Sequence, residues 1–454
     1  MTSAHAGMPT TGEVGRRWWF SPPFLILLPV VMSFAAWLAL NYQRAAKHTP
    51  AASWEKLAGF DHPEPAGPHN VALLVLWYGA ITSAALIGWK LASRQGVSQR
   101  LNAHTSTKPF ERAYFFVILA MAVVGVAYAY YKIGSTYSIV ASLANQTAND
   151  FSNALPGFAG PQTLRYATIL AAPIAFHLFR QKLLGWPYVV ITGLLLFLNA
   201  MITSRLGLMM AVFVYIALWL RAGNASAGRD KRRARRPLVV AAIVVVLFGL
   251  LTVLNYSRNA NYYRDLGVDH PIAMNLYQMG AYLAVPAQVS LGVSDALTRG
   301  VWNNEVDPVE AIDAVRPTFL QFDKTSKDEG RGEVFYEHNA SFSESFITNS
   351  VFADTYASHG VWGIFYTLGL YGLAGYLFGW LMRFSGVIAG SAGVMAYSFA
   401  EVWRTQMLNN GIVIFLMLLT AGSAILALEF ARRRSRPLGR VCQQVVTRRV
   451  IDAV

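Results

Sequence analysis

The sequence predicts an all-α polytopic membrane protein with about ten transmembrane helices and one large external loop. Hydrophobic residues make up 54% of the chain and charged residues only 14%, whereas a soluble domain usually has about 25% charged residues. The charges cluster between long uncharged segments, and ten of these segments approach the roughly 20 apolar residues that a membrane-spanning helix needs. Lys and Arg also concentrate in alternate connections, which is typical of a multi-span protein.

The ten predicted spans are separated by connections of very different length. A single helix over the fifth and sixth spans would overshoot any bilayer at about 1.5 Å per residue, so we expect a tight hairpin at residues 203–205. The predicted bounds are 24–42, 70–89, 114–131, 164–179, 186–202, 206–220, 237–256, 361–382, 384–400 and 411–428.

One further apolar stretch, 272–291, is not counted as a span. It is interrupted by Asn275, Gln278, Pro286 and Gln288. Counting it would also reverse every later segment and place the basic tail outside. We therefore predict a re-entrant or interface-lying pair of helices there.

The distribution of Lys and Arg orients the chain. With both termini in the cytoplasm, the cytoplasmic segments hold 24 of the 38 basic residues but only 5 of the 24 acidic ones. The basic cluster at 229–236 and the tail from Arg432 then act as topology anchors that attract anionic headgroups, so no nucleic-acid partner is predicted. The predicted segments are a cytoplasmic N-terminus (1–23), spans one to seven (24–256), the external loop (257–360), spans eight to ten (361–430) and a basic cytoplasmic tail (431–454).

Several common functional classes have no support in the sequence. The Walker, Rossmann, zinc-site and nucleophile-elbow patterns are absent. The spacing of His and carboxylate residues matches no metal-binding template, so neither a metal nor a cofactor is predicted. The single cysteine, Cys442, excludes an intrachain disulfide.

Arginines recur at the predicted outer ends of the spans. Arg165 opens the fourth span, Arg205 lies in the hairpin after the fifth, Arg258 and Arg264 follow the seventh, and Arg404 follows the ninth. Arginine stays charged and presents a planar donor that suits phosphate oxygens. We expect the first four to bind a lipid diphosphate. The alternative is that each extends to ordinary headgroups or pairs with a nearby acidic residue.

The second half of the external loop supplies candidate general bases. His359 and His338 can each accept a hydroxyl proton near neutral pH. Glu344 and Asp354 can do the same or bind sugar hydroxyls. The sequence does not choose among these four residues.

The layout and three short motifs resemble the Wzy-type O-antigen and oligosaccharide-repeat-unit polymerases. The motifs are TSRLG at 203–207, YSRN at 256–259 and DTYASHG at 354–360. The more distant lipid-linked-sugar ligases share the large late external loop, and His338-Asn339 is similar to a His-Asn pair of those ligases. The similarity extends over most of the chain from Leu164 to Leu428.

The resemblance implies a metal-independent glycosyltransferase of the bacterial inner membrane that acts at the outer leaflet. Its substrate would be a polyprenyl-diphosphate-linked oligosaccharide. Membrane lipids and a chain-length regulator protein would be its further partners. A sugar hydroxyl of one unit would attack the anomeric carbon of the growing chain and release polyprenyl diphosphate. Two alternatives stay open: a ligase that moves the glycan to another acceptor, and a non-enzymatic transporter of polysaccharide or lipid.

Overall fold

The computed structural model describes residues 18–45, 64–95, 99–145, 151, 155, 160–203, 205–222, 236–265, 267–301, 304–317, 320 and 350–451. Every regular element in these residues is helical. Within some helices only the backbone is described, and this applies to Arg205 and Arg258.

The first half of the chain forms the helices α1 (Pro22–Ala45), α2 (Pro68–Arg94), α3 (Gln99–Thr105), α4 (Lys108–Thr136), α5 (Ile139–Ala144), α6 (Thr168–Arg180), α7 (Trp186–Thr203), α8 (Arg205–Ala222) and α9 (Arg236–Asp265). A 3₁₀ helix, Pro161–Ala167, precedes α6 directly. The hairpin predicted after the fifth span is therefore confined to the junction between α7 and α8.

The second half forms α10 (Pro271–Thr298), α11 (Ser358–Leu381), α12 (Ala392–Ala400) and α13 (Gly411–Ile451). Shorter turns of 3₁₀ helix occur at Trp18–Phe20, Glu310–Ala314, Val387–Ser391 and Met407–Asn409, and a π-helical turn, Ala353–Ala357, leads into α11.

A helix lies at each of the ten predicted spans. Among the described residues, five helical segments are long and apolar enough to cross a membrane: Pro22–Ala39, Pro68–Arg94, Lys108–Thr136, Ala353–Leu381 and Gly411–Arg433. Apolar helices of 10–17 residues lie at Trp186–Ile202, Leu206–Ala222 and Val387–Ala400. The protein is thus an all-α membrane protein, and the number of crossings stays a prediction.

Glycines bring α2 and α11 into close contact along most of their length. A Cβ atom at Gly375 would clash with the main-chain oxygen of Ala85, and one at Gly88 would clash with that of Gly372. Glycine at these positions lets two backbones approach closely, as in many membrane helix pairs. Because both helices run in the same direction, their N-terminal ends meet on one side of the bundle.

Segments predicted to be cytoplasmic contact each other. The Nε–H of Arg112 donates to the carbonyl oxygen of Leu183 over 3.0 Å, and the Nε–H of Arg221 donates to that of Phe384 over 2.9 Å. These contacts hold together four connections between helices, all of which the charge pattern assigns to the cytoplasmic side. The structure is consistent with that grouping and leaves the side itself a prediction.

A single helix, α10, occupies the stretch for which a helix pair was predicted, so that prediction is wrong. Neighbouring helices supply hydrogen-bond partners for two of its polar residues, whereas Oδ1 of Asn275 and Oε1 of Gln278 are buried without a partner in the described part of the chain. The indole of Trp37 in α1 donates to Oε1 of Gln288 over 2.6 Å, and Nδ2 of Asn275 donates to the Thr252 hydroxyl in α9 over 3.0 Å. Packing on α1, α2 and α9 outweighs the hydrogen bond that Pro286 removes.

Both ends of α10 lie next to helix ends that the charge pattern assigns to the non-cytoplasmic side. Near its start, Met274 and Tyr277 pack on Tyr263 in the last turns of α9. Near its end, Oδ1 of Asp295 accepts from Nδ2 of Asn70, at the start of α2, over 3.1 Å. Between these two ends, the hydroxyl of Ser33 in the middle of α1 donates to the carbonyl oxygen of Leu283 over 2.6 Å. Whether α10 is interfacial or re-entrant stays a prediction.

Candidate functional site

A cluster of buried polar side chains lies where α2, α10, α11 and the connection between α12 and α13 meet. We call Tyr78, Ser290, Asp354, Tyr371 and Gln406 the Asp354 cluster. The exposed fractions of Tyr78, Tyr371 and Gln406 are 4%, 0% and 5%. The Asp354 carboxylate acts electrostatically on the phenols of Tyr78 and Tyr371, and Ser290 contacts Tyr78. Four separate elements thus place a carboxylate, two phenols, a hydroxyl and an amide together.

The amide of Gln406 is incompletely satisfied in this cluster. Its Oε1 accepts from the phenol of Tyr371 over 3.0 Å, whereas its buried Nε2 contacts no hydrogen-bond partner in the described part of the chain. Turning the amide over would leave the oxygen unpaired instead. A buried polar atom without a partner costs about 1–3 kcal/mol, so the cluster offers one hydrogen bond to a ligand or a water molecule.

An ion pair lies two residues before Gln406. The Nε–H of Arg404 donates to Oε2 of Glu401 over 2.8 Å. The guanidinium also lies over the Tyr282 ring, 5.4 Å from its centroid. The side chains of Arg404 and Glu401 are 21% and 13% exposed. The described contacts of Arg404 therefore occupy Nε and one face of the guanidinium, and they leave the two terminal nitrogens available to a ligand.

The electrostatic surroundings keep Arg404 charged. Burial alone would lower the pKa of Arg404, but the neighbouring Glu401 carboxylate and the phenols of Tyr397 and Tyr282 act in the opposite direction and leave the pKa above its ordinary value. A permanent positive charge in a low-dielectric site interacts strongly with an anion.

The backbone around Asp354 is unusual and positions its side chain. Asp354 lies in the π-helical turn Ala353–Ala357, a local distortion that is frequent at functional sites. Three residues after the turn, Gly360 adopts φ 58° and ψ −149° inside α11. Nδ2 of Asn304 donates to the carbonyl oxygen of Tyr356 over 2.9 Å. The segment before Glu310–Ala314 is thereby held against the start of α11.

His359 lies beside Asp354 on the same turn. Its Nδ1 is 3.2 Å from the main-chain oxygen of Asp354. This contact orients the imidazole ring through the backbone. The two predicted bases His359 and Asp354 are therefore neighbours in the structure.

Two of the predicted diphosphate-binding arginines have local contacts of their own. Arg165 lies in the 3₁₀ helix Pro161–Ala167 against α4. Arg264, in the last turn of α9, donates to Oδ1 of Asn261 over 3.1 Å and to the phenol of Tyr256 over 2.9 Å. None of these contacts joins Arg165 or Arg264 to the Asp354 cluster.

The remaining predicted site residues cannot be compared with this arrangement. His338 and Glu344 lie outside the described residues. Arg205 begins α8 and Arg258 lies within α9, and the described part of each is the backbone alone. Their roles stay predictions.

The sequence prediction missed Tyr78, Tyr371 and Gln406 and did not assign a role to Arg404. The sequence contains one indication of a site at these residues. The chain carries Glu401, Arg404 and Gln406 within six residues, directly after an apolar segment in which only Val387–Ala400 is helical. Fourteen residues extend about 21 Å as a helix, which is shorter than a bilayer core of about 30 Å. Because this helix is too short to span the core, the polar residues that follow it lie within the bundle.

No group of three or more His, Cys, Asp or Glu side chains is arranged to hold a metal ion within the described residues. The charged groups of the candidate site are one arginine and two carboxylates. Such a set can stabilise developing negative charge and accept a proton.

No protein-family model, curated protein or solved structure matches this chain.

Proposed function

We propose that the protein is a glycosyltransferase that joins polyprenyl-diphosphate-linked oligosaccharide units at the outer leaflet of a bacterial inner membrane. The observation that carries the proposal is the position of Arg404. This guanidinium is held inside a helical bundle by Glu401, has its terminal nitrogens available, and lies two residues from the buried cluster around Asp354. An anionic leaving group and a hydroxyl nucleophile need these two kinds of residue.

In the proposed reaction, a hydroxyl oxygen of the incoming unit forms a bond to the anomeric carbon of the growing chain. The bond between that carbon and the diphosphate oxygen breaks, and the electron pair leaves with polyprenyl diphosphate. Asp354 accepts the hydroxyl proton, because it is the carboxylate that acts on the two phenols of the cluster. Arg404 binds the diphosphate oxygens and stabilises the charge that develops on them.

The aromatic residues of the site suit a carbohydrate substrate. Tyr282 covers the guanidinium of Arg404, and Tyr397 lies close enough to act on its charge. Phenol groups combine an apolar face, which can stack on a sugar ring, with a hydroxyl that hydrogen-bonds. The unpaired amide atom of Gln406 supplies a further hydrogen bond for a sugar hydroxyl.

The other predicted residues keep subsidiary roles in this proposal. His359 is the alternative base, because its ring lies next to Asp354. His338 and Glu344 belong to the same external loop and stay base candidates. Arg205, Arg258 and Arg264 stay candidates for binding the lipid diphosphate before or after transfer. A chain-length regulator stays the proposed protein partner.

The proposal is tested by complementing a strain that lacks the gene and separating its surface polysaccharide by length on gels. Asp354→Asn and Arg404→Gln should each remove the long chains while the protein is present in the membrane at normal amounts. Arg299→Gln is the matched control, because Arg299 is an exposed arginine that pairs with Asp295 over 2.6 Å and has no described contact with the cluster. The same assay applied to Arg205→Ala and Arg258→Ala tests the predicted diphosphate ligands.

The outcomes separate the alternatives. Normal long chains in both Asp354→Asn and Arg404→Gln would overturn the proposal. If single repeat units on their lipid persist and no chain grows, the enzyme is a polymerase. If full-length lipid-linked chains accumulate without transfer to a final acceptor, the enzyme is a ligase. Unprocessed units held at the cytoplasmic leaflet would indicate a transporter.

A further inference from the structure

Arg165 is a buried arginine outside the Asp354 cluster. It lies in the 3₁₀ helix Pro161–Ala167, which packs on α4 and also contacts α13. Only 8% of the residue is exposed. Charged side chains are this deeply buried almost exclusively when they are paired or bind a ligand.

The described contacts of Arg165 leave its hydrogen-bonding capacity largely unused. One terminal nitrogen donates to the phenol of Tyr166 over 3.0 Å, and the other reaches the Gln162 carbonyl over a long 3.4 Å. The guanidinium also lies 4.7 Å from the centroid of the Tyr166 ring. Its Nε atom is fully buried and has no hydrogen-bond partner in the described part of the chain. Two of its five N–H donors are thus occupied.

The described residues provide no counter-ion for this charge. Arg299, Arg404 and Arg433 each pair with a carboxylate, whereas Arg165 forms no ion pair within the described part of the chain. Both hydrogen-bond partners of Arg165 in the described residues are neutral oxygens. An unpaired charge in a low-dielectric environment carries a penalty of several kcal/mol by general estimates. An anion that reached the guanidinium would remove this penalty.

The backbone holds Arg165 in place. A Cβ atom at Gly125 in α4 would clash with the main-chain nitrogen of Arg165 and the carbonyl carbon of Leu164. Glycine at this position therefore lets the 3₁₀ helix rest directly on α4. The backbone of Arg165 is therefore held rigidly against α4.

We propose that Arg165 forms an anion-binding site for a phosphate or diphosphate group, separate from the Asp354 cluster. The guanidinium presents paired donors whose geometry matches phosphate oxygens. The group can belong to a polyprenyl diphosphate or be free in solution. The site does not require the glycosyl transfer proposed above; if both hold, Arg165 binds the headgroup of a second lipid-linked unit.

The test uses the purified full-length protein in detergent and follows its thermal unfolding with three probes: inorganic diphosphate, geranylgeranyl diphosphate and geranylgeraniol. All measurements are made in an Arg404→Gln background, so that binding near Arg404 does not contribute. Geranylgeranyl diphosphate should raise the unfolding midpoint, and the alcohol should not. A response to inorganic diphosphate as well would show that the phosphate group suffices. A response to the lipid alone would show that the chain is also needed.

Adding Arg165→Met should remove most of the diphosphate response, and any remainder would come from the other candidate arginines, Arg205, Arg258 and Arg264. This variant should also leave the midpoint without ligand unchanged or higher, because an unpaired buried charge is replaced by an apolar side chain. Adding Arg165→Lys keeps the charge but loses the paired donors, and binding should weaken at least tenfold. Adding Arg299→Met is the control and should respond as the background does.

Two results would overturn the site: no diphosphate response in the background protein, or an undiminished response in both Arg165 variants. A midpoint that falls in both Arg165 variants without ligand, with the diphosphate response retained, would assign Arg165 a structural role. None of these results depends on polymer synthesis. Failure of this site and failure of the proposed reaction are therefore distinguishable.

Discussion

Arg404 and Glu401 form an ion pair within the bundle, with Nε of Arg404 2.8 Å from Oε2 of Glu401. The pair is neutral overall, which lowers the cost of burying each charge. Because Glu401 binds at Nε, it fixes the direction of the guanidinium and leaves the terminal nitrogens pointing elsewhere. Tyr282, in the separate helix α10, restricts the remaining freedom of the guanidinium. The arginine is therefore oriented before any substrate arrives.

This arrangement predicts that Arg404→Lys fails although it keeps the charge. An ammonium group is a point donor and cannot bind Glu401 and a diphosphate with separate, fixed nitrogens. We expect polymer production to fall at least tenfold. Glu401→Gln keeps a hydrogen-bond acceptor for Nε of Arg404 but removes the negative charge. We expect polymer production to fall less in this variant than in Arg404→Lys. The length and amount of surface polysaccharide on gels measure both. Normal chains in Arg404→Lys would contradict the role assigned to the guanidinium.

Gly360 gives a second prediction, because its conformation is available almost only to glycine. In Gly360→Ala the strain at φ 58° and ψ −149° costs about 1–3 kcal/mol. The new Cβ also clashes with the main-chain oxygen of Asn304. We expect a lower thermal-unfolding midpoint and reduced polymer, because His359 precedes this kink directly. Gly369→Ala in the same helix has no heavy atom within 4 Å of the new Cβ and is the matched control. Equal midpoints in the two variants would show that the kink is not required.

The helices of the bundle were largely predictable from the sequence, because long apolar segments have few stable alternatives in a bilayer. The spans at α1, α2, α4, α11 and α13 follow from length and composition. The prediction failed at α10. Its polar residues looked like interruptions, yet they bond to side chains such as Trp37 and Thr252 that are distant in sequence. Composition alone does not show which helices will supply such partners.

The candidate site was only partly predictable. Asp354 and His359 could be proposed because polar and ionisable residues directly before a predicted span are easy to recognise in the sequence. Tyr78 and Tyr371 lie inside long apolar helices, where a tyrosine is ordinary. Their significance depends on the common neighbour Asp354 and on Gln406, which approach from other elements. Which residues meet in three dimensions depends on how the helices pack, and a local sequence pattern does not show it.

The hydrogen bond between Tyr371 and Gln406 gives a third prediction, in the form of a double-mutant cycle. Tyr371→Phe removes the donor and leaves Oε1 of Gln406 buried and unpaired, which should cost about 1–3 kcal/mol. Gln406→Leu alone leaves the phenol of Tyr371 unpaired at a similar cost. The double variant removes both polar groups, so its loss should be smaller than the sum of the two single losses. The unfolding midpoints of the wild-type, two single-variant and double-variant proteins give the interaction free energy between the two side chains. Additive losses would show that the hydrogen bond contributes nothing.

The position of α10 gives the last prediction, which tests the topology. With Cys442 replaced by Ser, single cysteines are introduced as Asp269→Cys before α10 and Val301→Cys after it, where both residues are exposed. If α10 is interfacial or re-entrant, a membrane-impermeant maleimide added to spheroplasts should label both. Ser385→Cys, an exposed position in a connection predicted to be cytoplasmic, should be labelled only after the membrane is permeabilised. Labelling of Asp269→Cys without Val301→Cys would mean that α10 crosses the membrane. Because α11 runs in the same direction as α2, one of the spans predicted between them would then not cross the membrane.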